Sequence, residues 1–353
     1  MNDEIKIIFA LLTSALIVYL AVPKIIIFSR EFKLLNPPSK RDSHNVRMPI
    51  FGGIAIFSGI IFSMLFWGDF QQSHFILASL FIVFFIGMID DLLNLSPLKK
   101  LVGQFLAIAI CMYGHDIIIF SMHGVLGFKE INYLFSILFT FFVCVVIINS
   151  YNLIDGVDGL AAGIGIISSI SFGTIAYFTN QINIAILSFS LTGALIAFIR
   201  YNFNPAHIFM GDTGSLVVGM TLSVLAINLI NSGIIIEKIP PFEIKYINKG
   251  PLLSIAFLAI PLFDSLRVFV VRTIKKINPL SAGRGHIHHA LLDLGLNHKT
   301  TSILLCITQL LLIIISFLLL PININLSILI LSIIAFLTLY IPFFIKQKNS
   351  KKK

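Results

Sequence analysis

The sequence predicts an all-α integral membrane protein with about eleven transmembrane helices in one polytopic domain spanning residues 1–353, and three observations predict it. Of 353 residues, 57% are hydrophobic and 12% charged, with a mean hydropathy of +0.98; that composition excludes a soluble domain and a disordered chain. The apolar residues come in runs close to the roughly 20 that a bilayer crossing needs. The polar or Gly/Pro-rich connections between runs are too short to build an extramembrane domain.

Ended at that punctuation, the runs fall at 7–28, 50–67, 75–89, 101–113, 133–148, 160–178, 184–199, 215–236, 251–271, 302–320 and 326–345. The fourth is short and extends toward Ile119 across a weak polar interruption. Asp3, Glu4 and Lys6 precede the first run, with neither a basic n-region nor a small-residue cleavage site, so it reads as a retained span. Cys111, Cys144 and Cys306 lie inside apolar runs with no shared spacing and read as packing residues.

Eleven spans put the termini on opposite sides, and positive charge decides which is which. With the C-terminus cytoplasmic, 20 of the 25 Lys and Arg fall inside; only Lys6, Lys129, Lys238, Lys245 and Lys249 fall outside. The expected layout is N-out and C-in, with residues 346–353 a basic cytoplasmic tail drawn to membrane lipids. The net charge of +9 is spread in this way rather than gathered for nucleic acid.

On this topology the chemistry-capable residues all face the cytoplasm. Asp90 and Asp91 end the third span, where two adjacent carboxylates at a membrane boundary call for a cation or a proton; the alternative is a solvated helix end. Asn149 to Ala161 carries Asn149, Asn152, Asp155-Gly156 and Asp158-Gly159. The glycines permit sharp turns that gather carboxylates, and Asp158 is placed to cap the following helix. Phe203 to Ser215 places Asp212 between Gly211 and Gly214, where Thr213 or Ser215 at a helix start offers N–H groups to an anion; a plain N-cap is the alternative. Arg284, His286, His288 and His289 lack the His-Glu-x-x-His zinc pattern and suit phosphate oxygens better, against a purely structural loop. Lys40 and Arg41 lie in a basic first loop that suits a lipid or nucleotide phosphate or merely enforces topology.

In order, spacing and shared side, the four blocks Asp90-Asp91, Asn149 to Ala161, Phe203 to Ser215 and His286 to His289 resemble the polyprenyl-phosphate N-acetylhexosamine-1-phosphate transferase superfamily, glycosyltransferase family 4, along roughly Lys40 to Leu292. The sequence His-Ile-His-His and the eleven-span layout resemble its bacterial undecaprenyl-phosphate N-acetylglucosaminyl-1-phosphate transferase branch. The peptidoglycan branch has three consecutive histidines where Ile287 interrupts here. One departure is Gly283, where the family's pattern has an acidic residue.

The resemblance implies transfer of N-acetylhexosamine 1-phosphate, N-acetylglucosamine foremost, from a UDP-sugar to undecaprenyl phosphate in the bacterial cytoplasmic membrane, releasing UMP. Such enzymes begin O-antigen and other lipid-linked surface glycans. It assigns Mg²⁺, with Mn²⁺ equally suited to oxygen ligands, to Asp212 and Asp155 with Asn152 close by. Catalytic roles go to Asp90, Asp91, Asp155 and Asp158. Substrate contacts go to Asn149, Asn152, Lys99, Asn204, Arg284, His286, His288, His289, Lys40 and Arg41, and a homodimer is compatible with it. The alternative from another class is a secondary transporter of an anionic solute, whose functional acids belong near mid-span.

Overall fold

The structure, a computed structural model, describes residues 2–36, 48–115, 117–232, 249–276, 283 and 285–350. Among them the chain forms α1 (Asp3–Glu31), α2 (Gly52–Trp67), α3 (Phe70–Leu93), α4 (Pro97–His115), α5 (Tyr133–Leu153), α6 (Leu160–Phe178), α7 (Ile182–Asn202) and α8 (Gly211–Asn231). Then follow α9 (Gly250–Phe257), α10 (Ala259–Ile274), α11 (Ile287–Asp293), α12 (His298–Leu318) and α13 (Ile324–Ser350). Two small antiparallel pairs accompany the helices: β1 (Leu35–Asn36) with β2 (Met48–Pro49), and β3 (Ser121–Val125) with β4 (Phe128–Glu130).

Each expected apolar run has a helix along it, with 233–236 of the run 215–236 lying outside the described residues, but not every run is a simple crossing. Among the described residues eight helices are long and apolar enough to span, or nine if α9 and α10 count as one. At 16 residues, α2 is about 24 Å long against a hydrocarbon core of about 30 Å, and it packs against α1, α7 and α8. The polar start of α4, Lys99 and Lys100, leaves it less apolar than the spanning helices, and it stops at His115 instead of running on to Ile119.

The run at 251–271 is broken at Leu258, where α9 and α10 meet at 80°. A break in an apolar setting exposes backbone groups that need partners. Gln309 of α12 supplies them: its Nε2 donates to the carbonyls of Ala256 (2.9 Å) and Phe257 (3.0 Å), and its Oε1 accepts from Ile260 N (3.0 Å). Ser168 of α6 adds a 2.6 Å hydrogen bond to the Phe257 carbonyl.

At the centre stands α8, with 89% of its apolar window buried against 22% for the peripheral α13. Between helices in lipid, packing and hydroxyl hydrogen bonds replace the hydrophobic drive. Ser63 Oγ, for example, lies 2.7 Å from both the Ala10 carbonyl and Ser190 Oγ, tying α2 to α1 and α7. The starts of α2 and α8 are joined through backbone: Gly52 N and Gly53 N donate to the carbonyls of Phe209 (3.1 Å) and Met210 (3.0 Å). Orphan donors of one helix start are thereby satisfied, and the first turn of α8 is held in place.

Candidate active site

The site is built on that first turn of α8. The last turns of α3 cross it so closely that a Cβ on Gly87 would stand 2.6 Å from the Asp212 carbonyl oxygen, so only glycine fits. This approach delivers Asp91, whose Oδ1 accepts from Asp212 N (2.8 Å) and whose Oδ2 accepts from Thr213 N (2.9 Å) and Thr213 Oγ1 (2.5 Å). The anion expected at this helix start is therefore a side chain of the protein itself. Asp91 caps α8 from another helix, complementing its dipole.

One turn of chemistry away, Asp90 Oδ1 accepts from Leu95 N (2.6 Å) and Oδ2 pairs with the Lys100 ammonium. Lys100 also pairs with Asp212 Oδ2, so one cation bridges the ends of α3 and α8. The other Asp212 oxygen accepts from Asn152 Nδ2 (2.6 Å), which also donates to Ser215 Oγ (2.7 Å). Asp90, Asp212, Asn152 and Lys100 thus converge from four helices. Lys99, the expected contact, is exposed, and its neighbour occupies the site.

Asn149 is diverted into helix packing. Its amide, expected to contact substrate, is paired reciprocally with Gln104 of α4 (2.8 and 3.3 Å) and donates to the Val145 carbonyl (2.8 Å), which joins α4 to α5.

The connection from α5 to α6 carries the two remaining acids. The Asp155 carboxyl makes no hydrogen bond among the described residues; burial, then the carboxylates of Asp212, Asp91 and Asp158, push it up to about 7. Asp158 is buried. Its Oδ2 accepts from Asn204 Nδ2 (3.1 Å) and Ala206 N (3.2 Å), and its Oδ1 lies 3.5 Å from His298 Nδ1. It ties the α7–α8 connection and the start of α12 to this loop, and the pairing brings together Asp158 and Asn204, expected as a catalytic and a substrate-contacting residue. Nor does Asp158 cap α6, whose N-cap is Gly159 with φ 73°.

The histidine block closes one side. His288 packs its ring over Gly156, where a Cβ would meet Nε2 at 2.6 Å, placing the ring one residue from Asp155. Burial, then the neighbouring His289, hold it down at about 3, so it is neutral at physiological pH. The rings of His286 and His288 are near-parallel with centroids 5.8 Å apart. His286 Nδ1 lies 2.9 Å from Asp264 Oδ2, while Asp264 Oδ1 accepts from Ile287 N (3.0 Å) and Arg267 Nη2 (2.9 Å).

Lys40, Arg41 and Arg284 lie outside the described residues. Gly283 is exposed, and a Cβ there would stand 2.9 Å from Arg272 Nη2, so an acidic residue at this position would neighbour that guanidinium. Sequence reasoning gave no site role to Lys100, Gln104, Asp264 or Arg267. Signals existed for each. Lys100 is four residues before Gln104 on the inward stripe that continues through Ala107, Ile108 and Cys111, and Asp264 and Arg267 are charges at helical spacing inside an apolar run.

Among the described residues no three or more His, Cys, Asp or Glu form a ready-made metal cage. Magnesium takes one or two carboxylates and completes its shell with water and substrate phosphates, and the oxygens of Asp212 and Asp155 beside Asn152 are donors of that kind.

Residues 73–230, from α3 to the end of α8, match the family model described as glycosyl transferase family 4. The chain is 32% identical over 305 residues to a probable undecaprenyl-phosphate N-acetylglucosaminyl 1-phosphate transferase of Bacillus subtilis, covering 85% of this chain and 81% of the relative. It is 30% identical over 320 residues to a decaprenyl-phosphate N-acetylglucosaminephosphotransferase of Mycolicibacterium smegmatis, covering 83% and 77%. With an undecaprenyl-phosphate alpha-N-acetylglucosaminyl 1-phosphate transferase of Escherichia coli K12 the identity is 27% over 294 residues, covering 80% and 76%. On the match of residues 73–230 and on relatives at 30% identity or more matched along more than three quarters of their length, this chain belongs to glycosyl transferase family 4.

Proposed function

We propose that this protein transfers N-acetylglucosamine 1-phosphate from UDP-N-acetylglucosamine to undecaprenyl phosphate at the cytoplasmic face of a bacterial cytoplasmic membrane. The names of its relatives support the group transferred and the acceptor class. The observation that carries the reading is the convergence of Asp90, Asp212, Asn152 and Lys100 at the start of α8, with Asp155 on the loop that follows Asn152.

An oxygen of the lipid phosphate attacks the sugar-bearing phosphorus, and the bond from that phosphorus to the oxygen of UMP breaks. UMP leaves, and a polyprenyl-diphosphate sugar remains. Both reactants are anions, so the protein's work is positioning and charge compensation rather than covalent catalysis. A phosphate monoester has its second pKa near ~6, so the nucleophile is largely dianionic at neutral pH and a general base gains little. Single displacement is accordingly favoured over an aspartyl-phosphate intermediate.

Lys100 supplies the mobile positive charge beside Asp90 and Asp212, and Asn152 fixes the orientation of the Asp212 carboxylate. A magnesium ion held by Asp212 and Asp155 would neutralise charge on the pyrophosphate oxygens as the bond to UMP breaks. Neutral His288, packed against Gly156 beside Asp155, and His286, set by Asp264, are the candidates for phosphate contacts from the histidine block.

The test is UMP release by purified protein with undecaprenyl phosphate, Mg²⁺ and a panel of UDP-sugars, with Asp212→Asn and EDTA controls. The expected result is lipid-dependent release with UDP-N-acetylglucosamine, abolished in both controls. Turnover unaffected by EDTA removes the magnesium assignment. A folded protein silent with every UDP-sugar overturns the transferase reading, and a UMP burst stoichiometric with enzyme in the absence of lipid overturns single displacement.

A further inference from the structure

Beyond the region matched by the family model, one face of α13 is set against the histidine block. Phe336, Phe343 and Lys346 are seven and then three residues apart, so they share a stripe of the helix. Phe336 meets Phe263 of α10 edge-on at 5.3 Å, immediately before Asp264. Phe343 covers the Arg267 guanidinium, whose carbon lies 3.8 Å from the ring centroid. Lys346 Nζ donates to Asp293 Oδ2 at 2.6 Å, at the far end of α11.

Arg267 is the pivot. Largely buried, it donates through Nη2 to Asp264 Oδ1 (2.9 Å) and to the Gly285 carbonyl (2.5 Å), so it grips both the acid that holds His286 and the backbone leading into that histidine. A guanidinium is suited to this duty: its plane stacks on an aromatic face while its edge donates, and an ammonium cannot do both. The Phe343 ring therefore restrains Arg267. Arg267 and Asp264 in turn restrain His286 and Ile287, and the block that follows rests on Gly156.

We infer that Phe343 of α13 is a positioning residue for donor binding, acting through Arg267 and Asp264 on the segment His286–His289; the donor part rests on the reading under Proposed function. It touches no reacting group, and its substitution should loosen one segment and weaken one substrate. Phe343→Leu keeps apolar bulk and removes the ring face, while Phe343→Tyr keeps the face.

Hydrogen exchange read by mass spectrometry and steady-state kinetics on the full-length protein in detergent test it together. In Phe343→Leu, amides of the 285–293 segment should exchange about tenfold faster with those of α5 and α8 unchanged. KM for UDP-N-acetylglucosamine should rise about tenfold with KM for undecaprenyl phosphate unmoved. Phe343→Tyr should restore both. Unchanged exchange in the 285–293 segment overturns the brace. Faster exchange with an unmoved donor KM, or with both KM values moving together, overturns the positioning role. If the unmodified protein turns over no UDP-sugar, the transferase reading has failed, and the exchange measurement alone still decides the brace.

Discussion

Replacing Asp91 by alanine should damage the fold before it damages chemistry. The carboxylate accepts three hydrogen bonds from the first turn of α8, two from backbone and one from Thr213 Oγ1. Removing a helix cap costs about 1 kcal/mol and up to about 2; hydrogen bonds to a charged group contribute about 1.5–3 each, and donors left unpaired in a buried place cost about 1–3 each. These figures describe the same groups and do not add, so the working range is about 3–5 kcal/mol. At about 2 °C per kcal/mol for a chain of this size, the melting temperature should fall by about 6–10 °C. Cys111 and Cys144 are buried and Cys306 partly so, so a thiol-reactive fluorogenic dye reports unfolding directly in detergent. Asp90→Asn is the comparison: an amide oxygen still accepts from Leu95 N (2.6 Å), so the melt should drop by less than about 3 °C while activity is lost with the Lys100 pairing. An Asp91→Ala protein that melts with the unmodified one yet is inactive would refute the cap and return Asp91 to the substrate.

Lys100→Met should lower kcat/KM about 100-fold, about 2.7 kcal/mol, because it strips the shared cation from Asp90 and Asp212; exposed Lys99→Met should stay within about threefold, and equal effects would deny the distinction. Gln104→Leu and Asn149→Leu should each destabilise by about 1–3 kcal/mol by orphaning the partner amide, and the double variant should recover much of it; an additive double variant contradicts the reciprocal pair. For His288, burial holds the folded value at about 3 against 6.5, so between those values the unfolded chain binds more protons. Its contribution to stability is full above pH 6.5 and is lost as pH falls toward 3, with a slope of up to about 1.4 kcal/mol per pH unit. His288→Gln should flatten the melting temperature across that window, and a slope unchanged by the substitution rejects the buried neutral ring.

The helices were legible because each apolar run is long enough to leave a mark, and 160–178 coincides with α6 to the residue. The bend at Leu258 was not, since 251–271 is continuously apolar and the partner that makes a break tolerable, Gln309, is fifty residues on. Composition gathered the acids at one end of the bundle but could not say which face a ligand. That division depends on long-range donors: Thr213 for Asp91, Asn204 and Ala206 for Asp158, His286 and Arg267 for Asp264. Each donor sits on a different element from the acid it takes up, Arg267 excepted, and no local pattern announces such a pairing.

What that division leaves decides how the site must be filled. Asp91, Asp158 and Asp264 are consumed by the protein's own donors, and Asp90 and Asp212 share a single ammonium. Asp155, without a hydrogen bond and pushed up to about 7 by burial and its neighbours, marks a place short of positive charge. A bare pyrophosphate would be repelled from such a cleft, whereas a pyrophosphate arriving with a divalent cation would be drawn in. Donor and cation should therefore bind with positive coupling, and linkage requires each to raise the other's affinity by the same factor. Equilibrium binding of UDP-N-acetylglucosamine, titrated at several Mg²⁺ concentrations without lipid acceptor, measures that factor. At least about tenfold is expected, about 1.4 kcal/mol, shrinking toward one in Asp212→Asn. Donor affinity indifferent to the cation would mean that Lys100 and the histidine block already supply all the positive charge and polarity the pyrophosphate needs.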